Sequence, residues 1–195
     1  MEPNKPNRDL LKLKESLGTL PEARANPGFV VVSGLPGTGK SFFCKKLAER
    51  YAFHIVESDA LRKILFPRPD YSPSESARLF TAIHSLIESL LENGVSICFD
   101  ATNLSERNRE YLYRISDRTR ARMILISVEV PSAVAYQRLQ SRKTATVSEG
   151  ESDADWEVYR QMKPKVEKIL RNHLVVDTSR DITPVIDKII RALNR

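Results

Sequence analysis

Cysteine is scarce in this 195-residue chain. Cys44 and Cys98 are too few for a disulfide framework, and their spacing is neither that of a metal knuckle nor that of a redox pair. Both stand in apolar stretches, which marks them as reduced core residues of a cytoplasmic protein. No apolar run approaches the roughly 20 residues of a membrane span. The first residues lack a basic segment followed by an apolar run, so no signal peptide is expected. Acidic residues are outnumbered, 25 against 31 Lys and Arg, which leaves a net charge of +6. That balance suits an anionic partner, but ATP alone accounts for part of it, so it leaves nucleic acid open without requiring it.

The composition, 41% hydrophobic and 29% charged, is that of a soluble globular domain. Residues 1–27 read as an N-terminal extension, docked or mobile, with a short amphipathic helix from Arg8 to Leu17 stopped by Gly18 and Pro21. From residue 28 onward β-branched runs alternate with helical periods. Strands are expected at 29–33, 53–56, 95–99, 123–128 and 174–176. Helices are expected at 42–51, from Ser58 to before Pro67, from Ser72 to about 93, at 105–120, after Pro131, around Trp156 and from Thr183–Pro184 onward. Ser72, Pro73 and Glu75 spell an N-cap, a first-turn proline and a capping-box acid. This alternation predicts one α/β domain over 28–195, a three-layer α/β/α sandwich around a mainly parallel five-stranded sheet with a helical lid. The polar stretch from Lys143 to Asp155 reads as a mobile loop.

Glycine is sparse as well, at seven residues, yet three stand together in Gly34-Leu35-Pro36-Gly37-Thr38-Gly39-Lys40-Ser41. The segment fits G-x-x-x-x-G-K-[ST] in full and lies between a β-branched strand and a helix. Successive N–H groups of such a turn point inward and cradle an anion, and the helix that follows adds its N-terminal partial charge. Lys40 is placed to reach the β- and γ-phosphates and Ser41 to ligate Mg²⁺. Residues 34–41 and the adjoining Phe42 are therefore the expected ATP site, with ATP and Mg²⁺ as cofactors. A small GTPase needs D-x-x-G and N-K-x-D downstream, and neither is found. A mechanical AAA-type ATPase would end its second acidic strand in Asp-Glu, whereas Asp100 is followed by Ala101.

A kinase also needs an acceptor base and a lid that excludes water. Asp59, in Ser58-Asp59-Ala60-Leu61-Arg62, falls at a strand-to-helix junction on the sheet edge where ligands bind. Arg62 lies three residues on, along the same helical face, where it could hold an anionic part of the acceptor. The spacing suits equally a first-turn carboxylate that favours the helix dipole and a solvated arginine. Arg138 and Arg142, one turn apart, could neutralise charge on a transferring phosphoryl group or form an ordinary basic face.

Taken in order, GLPGTGKS, SDALR, a strand ending FDATNL and an arginine-bearing helix resemble the P-loop kinases typified by the phage polynucleotide 5′-kinase domain. Zeta toxins are more distant cousins, and the resemblance covers about residues 28–178. It implies Asp59 as general base, Arg62 as a contact to the acceptor's neighbouring phosphate, and Arg138 and Arg142 as lid residues. It further implies Asp100 near the acceptor, helping to place Arg62 or a metal-bound water, with Asn103 and Arg107 lining the same cleft. The phage enzyme's phosphatase domain has no counterpart in these residues, so two-step end healing is not implied. The expected activity is transfer of the ATP γ-phosphate to a hydroxyl, foremost a polynucleotide 5′-hydroxyl. A nucleoside, sugar or antibiotic acceptor is the alternative, and a non-transferring ATP switch the third reading. No membrane and no obligate protein partner are expected.

Overall fold

The computed structural model describes residues 5–144 and 154–194. Five strands form one sheet in the order β2-β3-β1-β4-β5. They are β1 (Gly28–Ser33), β2 (His54–Glu57), β3 (Ile97–Asp100), β4 (Arg122–Glu129) and β5 (His173–Asp177). All four pairings are parallel, so the expected sheet is parallel throughout rather than mainly so. Parallel strands need crossovers, and the helices between them cover both faces. The helices are α1 (Lys5–Glu15), α2 (Lys40–Ala48), α3 (Ser58–Leu65), α4 (Pro73–Glu92), α5 (Glu106–Thr119), α6 (Ser132–Thr144), α7 (Trp156–Met162) and α8 (Thr183–Leu193).

The run FVVVS explains itself in this setting. β1 is the central strand, and every one of its residues is buried. Phe29 and Val31 pack with α1, α3, α4 and α5 on one face, while Val30 and Val32 pack with α2 and α8 on the other. A third, smaller cluster of Ala135, Leu139 and Tyr159 seats α6 and α7 against Leu35 of the glycine-rich turn. Cys44 and Cys98 are buried and free, as expected. A hydrogen bond between them, together with burial, pushes the Cys44 thiol up.

The N-terminal helix is docked. Leu13 is fully buried in the α1/α4 side of the core, and Asp9 holds Arg78 of α4 through two hydrogen bonds of 2.6 Å. The capping-box reading at Ser72 needs correction. Ser72 caps α4 by accepting from Glu75 N at 3.2 Å, but the Glu75 carboxylate does not return to close the box. It turns instead to Asp70 N, Tyr71 N and Arg62, because a buried guanidinium attracts it more strongly than an exposed amide. At α8 no side chain caps from the helix start, and Asp181 accepts from Thr183 N at 2.9 Å. Most of the loop expected between Lys143 and Asp155 lies outside the described residues. No helix among them is long and apolar enough to cross a membrane.

Candidate active site

Parallel strands end together, which brings three chain segments to one edge of the sheet. Asp100 pairs with Val32 on one side and with Glu57 on the other, so the ends of β1, β3 and β2 lie abreast. The glycine-rich turn leaves β1 there, α3 with Asp59 leaves β2, and residues 101–105 leave β3. Val32 and Asp100, far apart in the chain, become neighbours on adjacent strands.

The turn is built as an anion cradle. Gly34, Gly37 and Gly39 all take positive φ, at 157°, 75° and 89°. A Cβ on Gly37 would sit 2.9 Å from Leu139 and 3.0 Å from the Ala135 carbonyl, so glycine is what lets α6 close onto the turn. Thr38 folds its hydroxyl back to the Leu35 carbonyl at 2.8 Å, and Lys40 Nζ donates to the same carbonyl at 3.1 Å. Gly34 N donates to Thr102 O at 3.1 Å, tying the turn to the segment after β3.

Lys40 is the electrostatic centre. Burial lowers its pKa, and Asp100 and Asp59 oppose that shift, while Arg142 of α6 adds to it. Asp59, Asp100 and Arg142 thus all bear on the charge of this one ammonium group. Asp100 is only 4% exposed, and its Oδ2 has no hydrogen-bond partner. Burial raises its pKa; Lys40 and a hydrogen bond from the Ser41 hydroxyl work against the rise. A buried, unpartnered carboxylate oxygen beside a hydroxyl fits a hard cation, and Mg²⁺ takes few protein ligands alongside water and phosphate. Among the described residues there is no group of three or more His, Cys, Asp or Glu side chains that could hold a metal by itself.

Glu57 is a member of this site that the sequence did not announce. Burial, then Asp100 and Asp59, push its carboxyl up to about 7. Its only sequence signal was its place two residues before Asp59.

The lid arginines divide. Arg138 reaches the cradle: Nη1 donates to Thr178 Oγ1 at 2.7 Å and to Thr38 O at 3.3 Å, and Nη2 donates to Thr178 O at 3.0 Å. Arg142 lies near Lys40 and donates to Ala154 O at 3.5 Å. Thr178, which no motif marked, donates its own hydroxyl to Thr38 O at 2.6 Å and so links the loop after β5 to the turn. Beside it a cavity of about 390 Å³ opens between α2 and that loop, lined by Phe42, Arg50, Thr178, Arg180 and Ile182.

On the acceptor side the structure redirects three expectations. Arg62 is paired with Glu75, not with Asp100, since Glu75 on the start of α4 faces it directly. Asn103 does not offer its amide to the cleft: Nδ2 donates to Val32 O at 2.8 Å, and the residue holds a left-handed φ of 46°. Arg107 is exposed on α5. The arginines of α5 include a fully buried member. Arg109, 1% exposed, donates to Asn103 O and to the carbonyls of Glu167 and Lys168, and it pairs with Glu106. It clamps the segment after β3 in place.

A phosphate cradle at the edge of a five-stranded parallel sheet in this strand order defines a P-loop kinase fold. Residues 29–169 match the family described as AAA domain, and the chain belongs to that family. In this member Ala101 stands after Asp100, where a motor ATPase would place its glutamate. Among solved structures, Kti12 from Chaetomium thermophilum in complex with ADP-AlF3 is similar at a TM-score of 0.68 and 18% identity, over 85% of this chain and 98% of that one. The APS kinase CysC of Mycobacterium tuberculosis, in complex with AMPPNP and APS, gives 0.64 and 16%, over 88% and 100%. A gluconokinase from Sinorhizobium meliloti gives 0.61 and 17%, over 88% and 94%. No curated protein sequence matches the chain.

Proposed function

We propose that this protein transfers the γ-phosphoryl group of ATP to a hydroxyl group of a small molecule. The observation that carries the reading is the anion cradle from Gly34 to Ser41, with Lys40 folded onto the turn and, at the adjoining end of β3, the buried Asp100 carboxylate with one oxygen unpartnered. Kinases among the structural neighbours, a gluconokinase, an APS kinase and a sugar kinase by their names, support a small acceptor over a polynucleotide.

The cradle amides and Lys40 hold the phosphates, and the cavity between Phe42 and Thr178 receives the base of the nucleotide. Ser41 and Asp100 hold Mg²⁺, which supplies charge neutralisation on the phosphate oxygens. Asp59 accepts the proton of the acceptor hydroxyl as its oxygen bonds to the γ-phosphorus and the bond to the β,γ-bridging oxygen breaks. Lys40, Arg138 and Arg142 face the charge that spreads over the equatorial oxygens.

A polynucleotide 5′-hydroxyl remains the second reading, supported by the exposed Arg107 and Arg114 on α5 and the net charge of +6. Labelled ATP offered with uncharged sugars, nucleosides, gluconate, aminoglycosides and 5′-hydroxyl DNA and RNA separates the two. Transfer to a small molecule that survives added salt and disappears in Lys40→Ala supports the proposal. Transfer confined to oligonucleotides, and weakening steeply with salt, overturns it in favour of the second reading.

A further inference from the structure

The sequence offers Arg62 as a cation for an anionic acceptor, but the folded protein surrounds it with compensation. Its Nη1 is ion-paired with Glu75, a residue as buried as Arg62 itself. Nη2 donates to Ser76 Oγ at 3.3 Å. The ring of Tyr71 covers the guanidinium at 4.7 Å, and Tyr71 holds a left-handed φ of 55° while half of its surface stays exposed. The same Glu75 carboxylate fixes that loop by accepting from Asp70 N at 2.8 Å and Tyr71 N at 3.3 Å. The nearby cation Arg78 is likewise matched, by Asp9. Asp59 precedes Arg62 by one turn, and Asp70 lies within its electrostatic reach. The buried Nε of Arg62 has no hydrogen-bond partner.

We propose that Glu75 is a specificity-determining, positioning residue of the acceptor cleft, which neutralises Arg62 so that the cleft takes an uncharged hydroxyl compound, such as a sugar or polyol, and turns away phosphorylated and carboxylated ones. The inference rests on the kinase reading for its acceptor, but its physical content does not. An anion at Arg62 must displace a carboxylate that also holds two main-chain amides in place, and it meets Asp59 and Asp70 besides. A neutral acceptor calls for no such displacement. The exposed face of Tyr71, turned away from the guanidinium that its other face covers, offers a sugar ring an apolar wall.

Two readouts test this. In the first, the ¹⁵N-labelled chain is titrated with inorganic sulfate while the Nε–H resonance of Arg62, assigned by its loss in Arg62→Lys, is followed. The wild-type resonance should stay in place, and that of Glu75→Gln should move saturably. A wild-type shift equal to that of the variant, or no shift in a folded Glu75→Gln, overturns the proposal. In the second, phosphoryl transfer from Mg·ATP is compared for glucose and ribose against gluconate and ribose 5-phosphate. The wild type should favour the uncharged acceptors by at least about tenfold in kcat/KM, a ratio that Glu75→Gln narrows by a similar factor. Preference of the wild type for the anionic acceptors overturns the proposal with the kinase reading intact. Transfer to no acceptor at all defeats the kinase reading, and the sulfate titration still decides the state of Arg62. If Glu75→Gln fails to fold, the wild-type resonance and the wild-type acceptor ratio decide the matter.

Discussion

Arg138 of the lid helix donates to the Thr178 hydroxyl at 2.7 Å, and that hydroxyl donates onward to the Thr38 carbonyl of the phosphate turn at 2.6 Å. Lid, nucleotide loop and cradle thus share one chain of hydrogen bonds, across residues 140 positions apart. Replacing Thr178 by Val keeps the shape but takes the nearer acceptor from Arg138 Nη1 and leaves Thr38 O only the longer bond from that nitrogen, at 3.3 Å. The expected cost is about 1–3 kcal/mol of stability, with ATP affinity down roughly tenfold. Thermal melts and calorimetric titration with Mg·ATP read the two effects.

Asp59→Ala should leave ATP binding intact and slow transfer by about 10²–10⁴-fold, the usual contribution of a positioned proton acceptor. Asn at the same place keeps the size and loses the charge, so it should be equally slow. Near-wild-type turnover in both, measured under saturating ATP, removes Asp59 from the mechanism.

Gly37→Ala meets two obstacles at once. Its φ of 75° disfavours any Cβ, and that Cβ would press on Leu139 at 2.9 Å. The left-handed backbone alone should cost about 1–3 kcal/mol, and the collision adds to it. Trimming the partner in Gly37→Ala/Leu139→Ala should recover part of the loss in nucleotide affinity, so the double variant should be less impaired than the two single losses predict. Strict additivity would show that α6 does not bear on the turn.

His84 sits between Phe80 and Tyr111, with ring centroids 6.2 and 5.5 Å away. Burial lowers its pKa from 6.5 to about 4. The unfolded chain takes up the proton first, so this contribution to stability is complete above pH 6.5 and lost as the pH falls to about 4. The shift corresponds to about 3 kcal/mol at 1.36 kcal/mol per unit. Urea unfolding across that range should show the wild type weakening more than His84→Phe, which has nothing to titrate there; parallel losses would refute the assignment.

Leu13→Ala tests whether the N-terminal helix belongs to the core. A fully buried leucine between α1 and α4 should cost about 2–5 kcal/mol on truncation. A change below about 0.5 kcal/mol, the size of an ordinary surface substitution, would mean the helix is dispensable to the fold.

The succession of strands and helices followed from period and punctuation, whereas the order of the strands across the sheet did not. A β-branched run such as FVVVS has few other uses than a strand buried on both sides, and Gly34 to Ser41 permits few shapes. Pairing partners were less legible. The stretch from Arg107 to Arg122 is rich in arginine, yet Arg109 points inward at three carbonyls, Arg118 pairs with Glu88, and Arg122 donates to Ala192 O. Spacing along a helix states which residues share a face. It does not state what that face meets.

The chain's order of residues was enough to determine a phosphate-holding turn between a buried strand and its helix, because backbone freedom, a lysine and a hydroxyl at fixed offsets are local requirements. Only the tertiary structure decided the neighbours of that turn. Parallel pairing put Glu57 beside Asp100, packing of α4 on α3 gave Arg62 to Glu75, and the loop after β5 brought Thr178 under Arg138. Those pairings join segments far apart in the chain, and charge compensation in a buried cleft depends on distance through space.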